Sequence, residues 1–183
     1  MNTVTCTDYS GTSRKPPTSV MMVAGLAMLL GVMQPVSAEK KLVSGTSWKV
    51  VDGDTIHLEG HKIRLIGIDA PEKNQHCTSS DGLAFSCGLV ARDILLGLLL
   101  MADGPVQCRL DGKDRYRRWL GRCYAGKAGE AIDVQRMLVV SGYAVAEYAD
   151  DYRQHEHQAR QHRRGLWAGE FERPQQFRRS KRS

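Results

Sequence analysis

The stretch from Trp48 to Asp69, WKVVDGDTIHLEGHKIRLIGID, decides the fold. β-Branched and apolar residues alternate with polar ones on both sides of Glu59-Gly60-His61-Lys62, the pattern of a hairpin with one buried and one wetted face. Asp52-Gly53-Asp54 interrupts the first arm, and a glycine inside a strand predicts a bulge that re-aims a neighbouring side chain. Downstream of the Pro71 loop, the apolar stretch Gly82 to Leu100 reads as a buried helix. Val106 to Leu110 and Trp119 to Tyr124 read as strands joined by the polar, basic loop Asp111 to Arg118. Ala131 to Ser141 has helical period and stops at Gly142, and Asp150 to Arg164 forms a charged third helix before Gly165-Leu166-Trp167. Strands first and helices interleaved later predict an α+β domain around a small barrel.

At 183 residues and 42% hydrophobic, the chain has the length of one domain and enough apolar residues to exclude overall disorder. No glycine period, sustained heptad or self-similar block appears, which excludes collagen-like, coiled-coil and repeat architectures. Composition breaks only at the ends. Residues 1–38 have the layout of a secretory signal: a basic stretch ending in Arg14-Lys15, the apolar run Val20 to Met33, then small residues up to Ala38. That run is shorter than the roughly 20 apolar residues a spanning helix needs, so cleavage after Ala38, export to the periplasm or medium and no stable membrane association are expected. Residues 39–172 then form the domain, and 173–183, RPQQFRRSKRS, a flexible cationic tail.

Export bears on the cysteines. Cys6 leaves with the leader, and the even set Cys77, Cys87, Cys108 and Cys123 implies two disulfides in an oxidising compartment. Four cysteines allow three pairings. Cys108 and Cys123 lie on strands flanking one loop and can face each other, leaving Cys77 with Cys87 as a local link. The net charge of +6 suits an anionic partner and equally suits simple solubility.

Asp54, Asp69 and Glu72 are carboxylates on strands expected to pair, with Arg64 between them in sequence. Carboxylates gathered on adjacent strands repel unless a cation sits among them, and oxygen donors favour a hard divalent ion. On spacing alone, the same residues also read as solvated turn positions. His155, His157 and His162 read as a solvated helix face, because no cysteine or carboxylate set accompanies them at ligand spacing.

Four segments occur in order and at suitable distances: VVDGDTIHL (50–58), IRLIGIDAPE (63–72), DRYRRWLG (114–121) and EHQARQHRRGLWAG (156–169). Together they resemble the staphylococcal nuclease (thermonuclease) family over roughly residues 42–172. The resemblance implies a five-stranded OB-fold barrel with three helices, acting as a monomer in calcium-dependent cleavage of DNA and RNA to products ending in a 3′-phosphate. It implies that Asp54 and Asp69 ligate Ca2+ through carboxylates and Ala70 through its carbonyl. Arg64 and Arg118 fall at the phosphate-clamping arginines, Glu72 at the catalytic glutamate, and Tyr116 and Tyr148 at tyrosines lining the nucleotide site. Arg117 departs from the family's usual glycine, and a long side chain there is strained if the backbone needs positive φ. Two other functions are compatible with the same residues: a non-catalytic OB-fold module that binds single strands, and a role in exopolysaccharide production, since some relatives carry succinoglycan names.

Overall fold

The computed structural model describes residues 40–148 and 150–181; the expected leader lies outside the described residues. β1 (Lys40–Gly45), β2 (Trp48–Asp52), β3 (Thr55–Leu58), β4 (His61–Leu65), β8 (Val106–Lys113), β9 (Trp119–Ala125) and β10 (Ile132–Asp133) make one sheet. Its order is β1-β8-β9-β4-β3-β2, with β10 added to β9, and all pairs are antiparallel except β4 with β9. Two small ladders complete the strands: β5 (Ile68–Asp69) with β11 (Val145–Ala146), and β6 (Cys77–Thr78) with β7 (Ala84–Phe85). The helices are α1 (Cys87–Met101), α2 (Val134–Val140), α3 (Arg153–Gln161) and α4 (Pro174–Ser180), and a 3₁₀ turn covers Gly165–Ala168.

The α+β class is as expected, whereas the closed five-stranded barrel with three helices is not what the described residues form. β8 pairs with β9 along one edge and with β1 along the other, Lys40 opposite Asp111 through Gly45 opposite Val106. No edge of β8 is left for β2, and the strand path stays open between β1 and β2. The fourth helix comes from the residues expected as a flexible tail. Arg173-Pro174 starts it, because proline at the first helical turn lacks only an N–H that would have had no partner there.

The alternation in β3 and β4 survives in three dimensions. Ile56, Leu58, Ile63 and Leu65 are fully buried, while Lys62 and Arg64 point the other way. Against this face lie Ala91, Leu95 and Leu99 of α1, spaced at four residues, and Leu138 and Val139 of α2. Gly53-Asp54 is the tight turn that joins β2 to its antiparallel partner β3, where an interruption inside a single arm was expected; the bulge, a register shift between Val50 and Asp52, lies just before it. Gly53 is required by close approach: a Cβ there would lie 2.7 Å from the Ala70 Cβ and 3.0 Å from the Ala91 Cβ.

Both disulfides join the expected partners: Cys77 with Cys87 at a Cα separation of 5.6 Å, and Cys108 with Cys123 at 4.1 Å as directly opposed residues of β8 and β9. The first clamps the β6–β7 ladder to the start of α1; with Ala84–Phe85 taken up in that ladder, the helix begins at Cys87 and not at Gly82. In the chain-entropy picture, closing loops of 10 and 15 residues stabilises the fold by about 3 kcal/mol each. Replacing Cys108 and Cys123 together by serine is therefore expected to lower unfolding free energy by that amount in denaturant titration. Non-reducing peptide mapping of the parent should recover only the 77–87 and 108–123 links.

Candidate functional site

One cavity of about 550 Å3 opens where the bulge, β4, the loop after β5, the 114–118 turn and α4 converge. It brings together six of the expected site residues, Asp54, Arg64, Ala70, Glu72, Tyr116 and Arg118, with Tyr148 on its rim. Asp69 does not line the cavity; it is fully buried behind it and is reached through guanidinium groups. Tyr116 and Tyr148 are exposed.

The innermost arrangement is two carboxylates tied by one arginine. The turn between β2 and β3 sets Asp54 inward, where it is 5% exposed. Arg64 extends from β4 and donates through one terminal nitrogen to Asp54 at 2.9–3.0 Å and through the other to Asp69 Oδ1 at 2.9 Å. The Thr55 hydroxyl donates to Asp54 Oδ1 at 3.0 Å, and the Ala70 N–H approaches Oδ2 at 3.4 Å. Burial pushes the Asp54 carboxyl up to about 7, helped by the negative charge of Asp52 and Asp69 and opposed by Arg64 and the Thr55 hydroxyl. Burial works against the Arg64 charge, but the attraction of Asp54 and Asp69 outweighs it and holds the guanidinium protonated.

Arg118 is fixed by its own turn. Asp114 accepts from Arg118 Nε at 2.8 Å and from its terminal nitrogen at 2.7 Å, while the other carboxylate oxygen accepts the N–H groups of Tyr116 and Arg118 at 2.9 and 3.0 Å. Despite the cost of partial burial, these hydrogen bonds hold the Asp114 carboxyl below its usual range. The turn puts Arg117 at φ 63°, so the position where the family usually has glycine does demand the left-handed region. Asp114 was not among the expected site residues, although an aspartate opening a tight turn is a readable sequence signal.

Glu72 is held through Gln75, which is fully buried. The Gln75 Oε1 accepts the Glu72 N–H at 3.1 Å, the Gln75 N–H donates to the Glu72 carbonyl at 2.7 Å, and the Gln75 Nε2 donates to the Glu172 carbonyl at 2.6 Å. Gly88 lets α1 abut this loop, since a Cβ would fall 1.8 Å from the Glu72 carbonyl oxygen. From Glu172 the chain enters α4, and Arg178 returns to the cavity. Its terminal nitrogens donate to Asp69 at 3.0 and 2.8 Å and to Glu72 Oε1 at 2.8 Å. Against the cost of burial, these bonds hold the Arg178 guanidinium more firmly charged than a free arginine. The sequence reading missed Arg178; Pro174 and Phe177 hint at a short helix, but no local signal points across the 109 residues to Asp69.

Among the described residues, no three His, Cys, Asp or Glu side chains converge as a metal cage. The donors at hand are all oxygen: the Asp54 and Asp69 carboxylates and the backbone carbonyl of Ala70. Oxygen donors of this kind suit a hard cation, and in the metal-free arrangement Arg64 and Arg178 occupy the carboxylates in its place. The expected solvated histidines lie elsewhere, His157 and His162 exposed and His155 half-buried with its ring 6.4 Å from that of Tyr152.

Residues 62–169 match the family model described as staphylococcal nuclease homologue, a span containing Arg64, Asp69, Glu72, Arg118 and Tyr148. The chain is similar to the succinoglycan biosynthesis protein ExoI of Rhizobium meliloti, 34% identical over 126 residues that make up 67% of this chain and 64% of that protein. It is similar to an Escherichia coli protein named uncharacterized endonuclease, 32% identical over 134 residues, 69% of this chain and 78% of that one. Endonuclease YhcR of Bacillus subtilis is 32% identical over 163 residues, 79% of this chain but 13% of that protein.

Two measurements follow from this geometry. Because the folded state holds the Asp54 proton from the ordinary carboxylate range up to about pH 7, that group's contribution to metal-free stability falls as pH rises through that window. Melting in chelator is expected to show the parent losing up to about 1 kcal/mol per pH unit relative to Asp54→Asn between pH 5 and 7. Arg117→Gly is expected to raise stability by up to about 1 kcal/mol, by relieving the φ of 63°, in denaturant titration at fixed pH.

Proposed function

We propose that this chain, which belongs to the family of staphylococcal nuclease homologues, is a calcium-dependent phosphodiesterase that cleaves DNA and RNA and leaves 3′-phosphate ends. The observation that carries the reading is Glu72 in one cavity with Arg64 and Arg118, a carboxylate beside guanidinium groups arriving from β4 and from the 114–118 turn. A strand-binding module needs positive charge and stacking surfaces but has no use for a carboxylate facing the phosphate.

The division of labour follows from the chemistry of the bond. A phosphate entering the cavity meets two guanidiniums, each able to donate two parallel N–H bonds to its oxygens, which a lysine cannot do. Glu72 orients or deprotonates a water for attack on phosphorus, and the bond to the 5′-oxygen breaks, so the phosphate stays on the 3′ side. Charge redistributes onto the phosphoryl oxygens in the transition state, where Arg64 and Arg118, already fixed by Asp54, Asp69 and Asp114, stabilise it without reorganising. Exposed Tyr116 and Tyr148 offer ring faces to the flanking nucleotide. Asp54, Asp69 and the Ala70 carbonyl are the donors for calcium, which when bound supplies a Lewis acid for a phosphate oxygen.

The two disulfides support export, and among the described residues no helix is long and apolar enough to cross a membrane. The signal-like residues 1–38 support the same placement, and we read the protein as a monomer. The likeness to a relative named for succinoglycan biosynthesis supports a second reading of the biological setting, exopolysaccharide production, with the same residues at work.

Plasmid incubated with the protein should be cut in calcium and left intact in chelator, with magnesium substituting poorly and added salt slowing the reaction. Glu72→Gln and Arg118→Lys are expected to lower turnover on the order of hundreds-fold while stability stays within about 1 kcal/mol of the parent. Near-parental cutting by both folded variants would favour the binding module. Arg64→Lys is a poor probe of chemistry alone, because the same guanidinium neutralises two buried carboxylates.

A further inference from the structure

Arg178 holds both carboxylates on which the reaction depends. The Asp69 Oδ1 accepts from Arg64 at 2.9 Å and from Arg178 at 3.0 Å, and Oδ2 accepts from Arg178 at 2.8 Å. The same guanidinium donates to Glu72 Oε1 at 2.8 Å. A carboxylate that shares its oxygens with a guanidinium is a weaker ligand for a second cation, since the two positive charges repel across it. A glutamate oxygen already accepting from a guanidinium is likewise less available to accept from a water.

The helix that delivers Arg178 is built to let go. The chain leading to it is strapped down, by the backbone pair of Thr78 with Glu170 and by Gln75 to the Glu172 carbonyl. Counting the buried Pro174, α4 has seven residues, too few to be stable without tertiary contacts, and its N-cap Arg173 makes no side-chain cap bond, only longer ion pairs to Glu147 at 3.8 Å and Glu156 at 3.5 Å. Gln175 reaches the Tyr148 hydroxyl only at 3.4 Å. The ion pairs of Arg178 tie this helix to the cavity just after a segment that is strapped down.

We propose that Arg178 is a built-in competitor for the metal: α4 lays its guanidinium across Asp69 and Glu72, and calcium binds only as that guanidinium leaves. The inference rests on the calcium reading above and adds to it the residue that keeps the metal-free site closed. Metal affinity is lowered by the fraction of molecules in which Arg178 occupies the carboxylates. Nothing in the matched span 62–169 includes this helix, so the device belongs to a segment beyond that match.

Calorimetric titration of calcium into the purified protein tests it without reference to cleavage. Arg178→Gln is expected to bind calcium on the order of tenfold more tightly than the parent, the equivalent of losing charge-assisted hydrogen bonds to the competing donor. It should also melt lower than the parent in chelator and be stabilised more by saturating calcium. Arg178→Lys, which keeps the charge but loses the fork, should gain by a smaller factor and serves if Arg178→Gln does not fold. Lys181→Gln, one turn on and outside these contacts, should leave affinity unchanged, which separates local displacement from a change in net charge. Equal or weaker calcium binding by folded Arg178→Gln or Arg178→Lys overturns the proposal while leaving the calcium reading intact. Absence of calcium binding in parent and variants alike removes the calcium reading and this inference with it.

Discussion

Asp54 stands in the turn between β2 and β3 and Asp69 on β5, both buried, and Arg64 from β4 spans them. Two buried carboxylates side by side are sustainable only with positive charge among them, and removing one partner of such a group leaves a buried charge without compensation. Much of the local backbone answers to this need. The β2–β3 turn at Gly53-Asp54 sets a carboxylate inward, Gly53 allows the Ala70 loop to come close, and the alternation of β4 sends Ile63 and Leu65 to the core and Arg64 to the charges. Core packing and site electrostatics thus share residues, and neither can be altered alone.

A second set of contacts ties the site to the far end of the chain. Gln75 fixes the Glu72 loop and the Glu172 carbonyl at once, and the neighbouring Cys77–Cys87 link holds the same corner to α1. Through this corner a residue near the C-terminus returns to carboxylates more than a hundred positions earlier. Asp114 does comparable work locally, closing its turn over the strained Arg117 and holding Arg118 ready.

Features written in short-range pattern were legible from the chain. Alternation gave the strands at 48–65 and strand facing gave the Cys108–Cys123 partner, whereas the glycine read as a bulge inside one arm marks the turn between two strands. The cavity gathers the residues the motif resemblance had put forward, apart from Asp69 behind it. What escaped depends on which edge meets which. That β1 covers the outer edge of β8 is invisible in the sequence of either strand, so the open path was read as a closed barrel. The charge-rich end of the chain looked like a solvated tail because composition reports solubility and says nothing of a buried carboxylate waiting elsewhere. Residue type marked Arg64 and Glu72 within their motifs, whereas Arg178 has no motif around it and acquires meaning only from its destination.

The parallel pairing of β4 with β9 sets Ile63 opposite Trp119, so that Arg64 and Arg118 each stand one step from an aligned pair. Adjacent strands lie roughly 4.8 Å apart, and the ladder acts as the ruler between the two guanidiniums. A one-residue slip would turn Arg64 towards the core and carry Ile63 outward. Such a ladder also cannot form until everything between the two strands has been made. During synthesis β4 emerges with its hairpin partner β3 long before β9 exists, and parallel pairing over that loop is a late, high-contact-order event. The pair of arginines is in this sense a record of completed folding: a truncated or stalled chain can display the bulge and its carboxylates while lacking the span between guanidiniums that a phosphate would have to bridge.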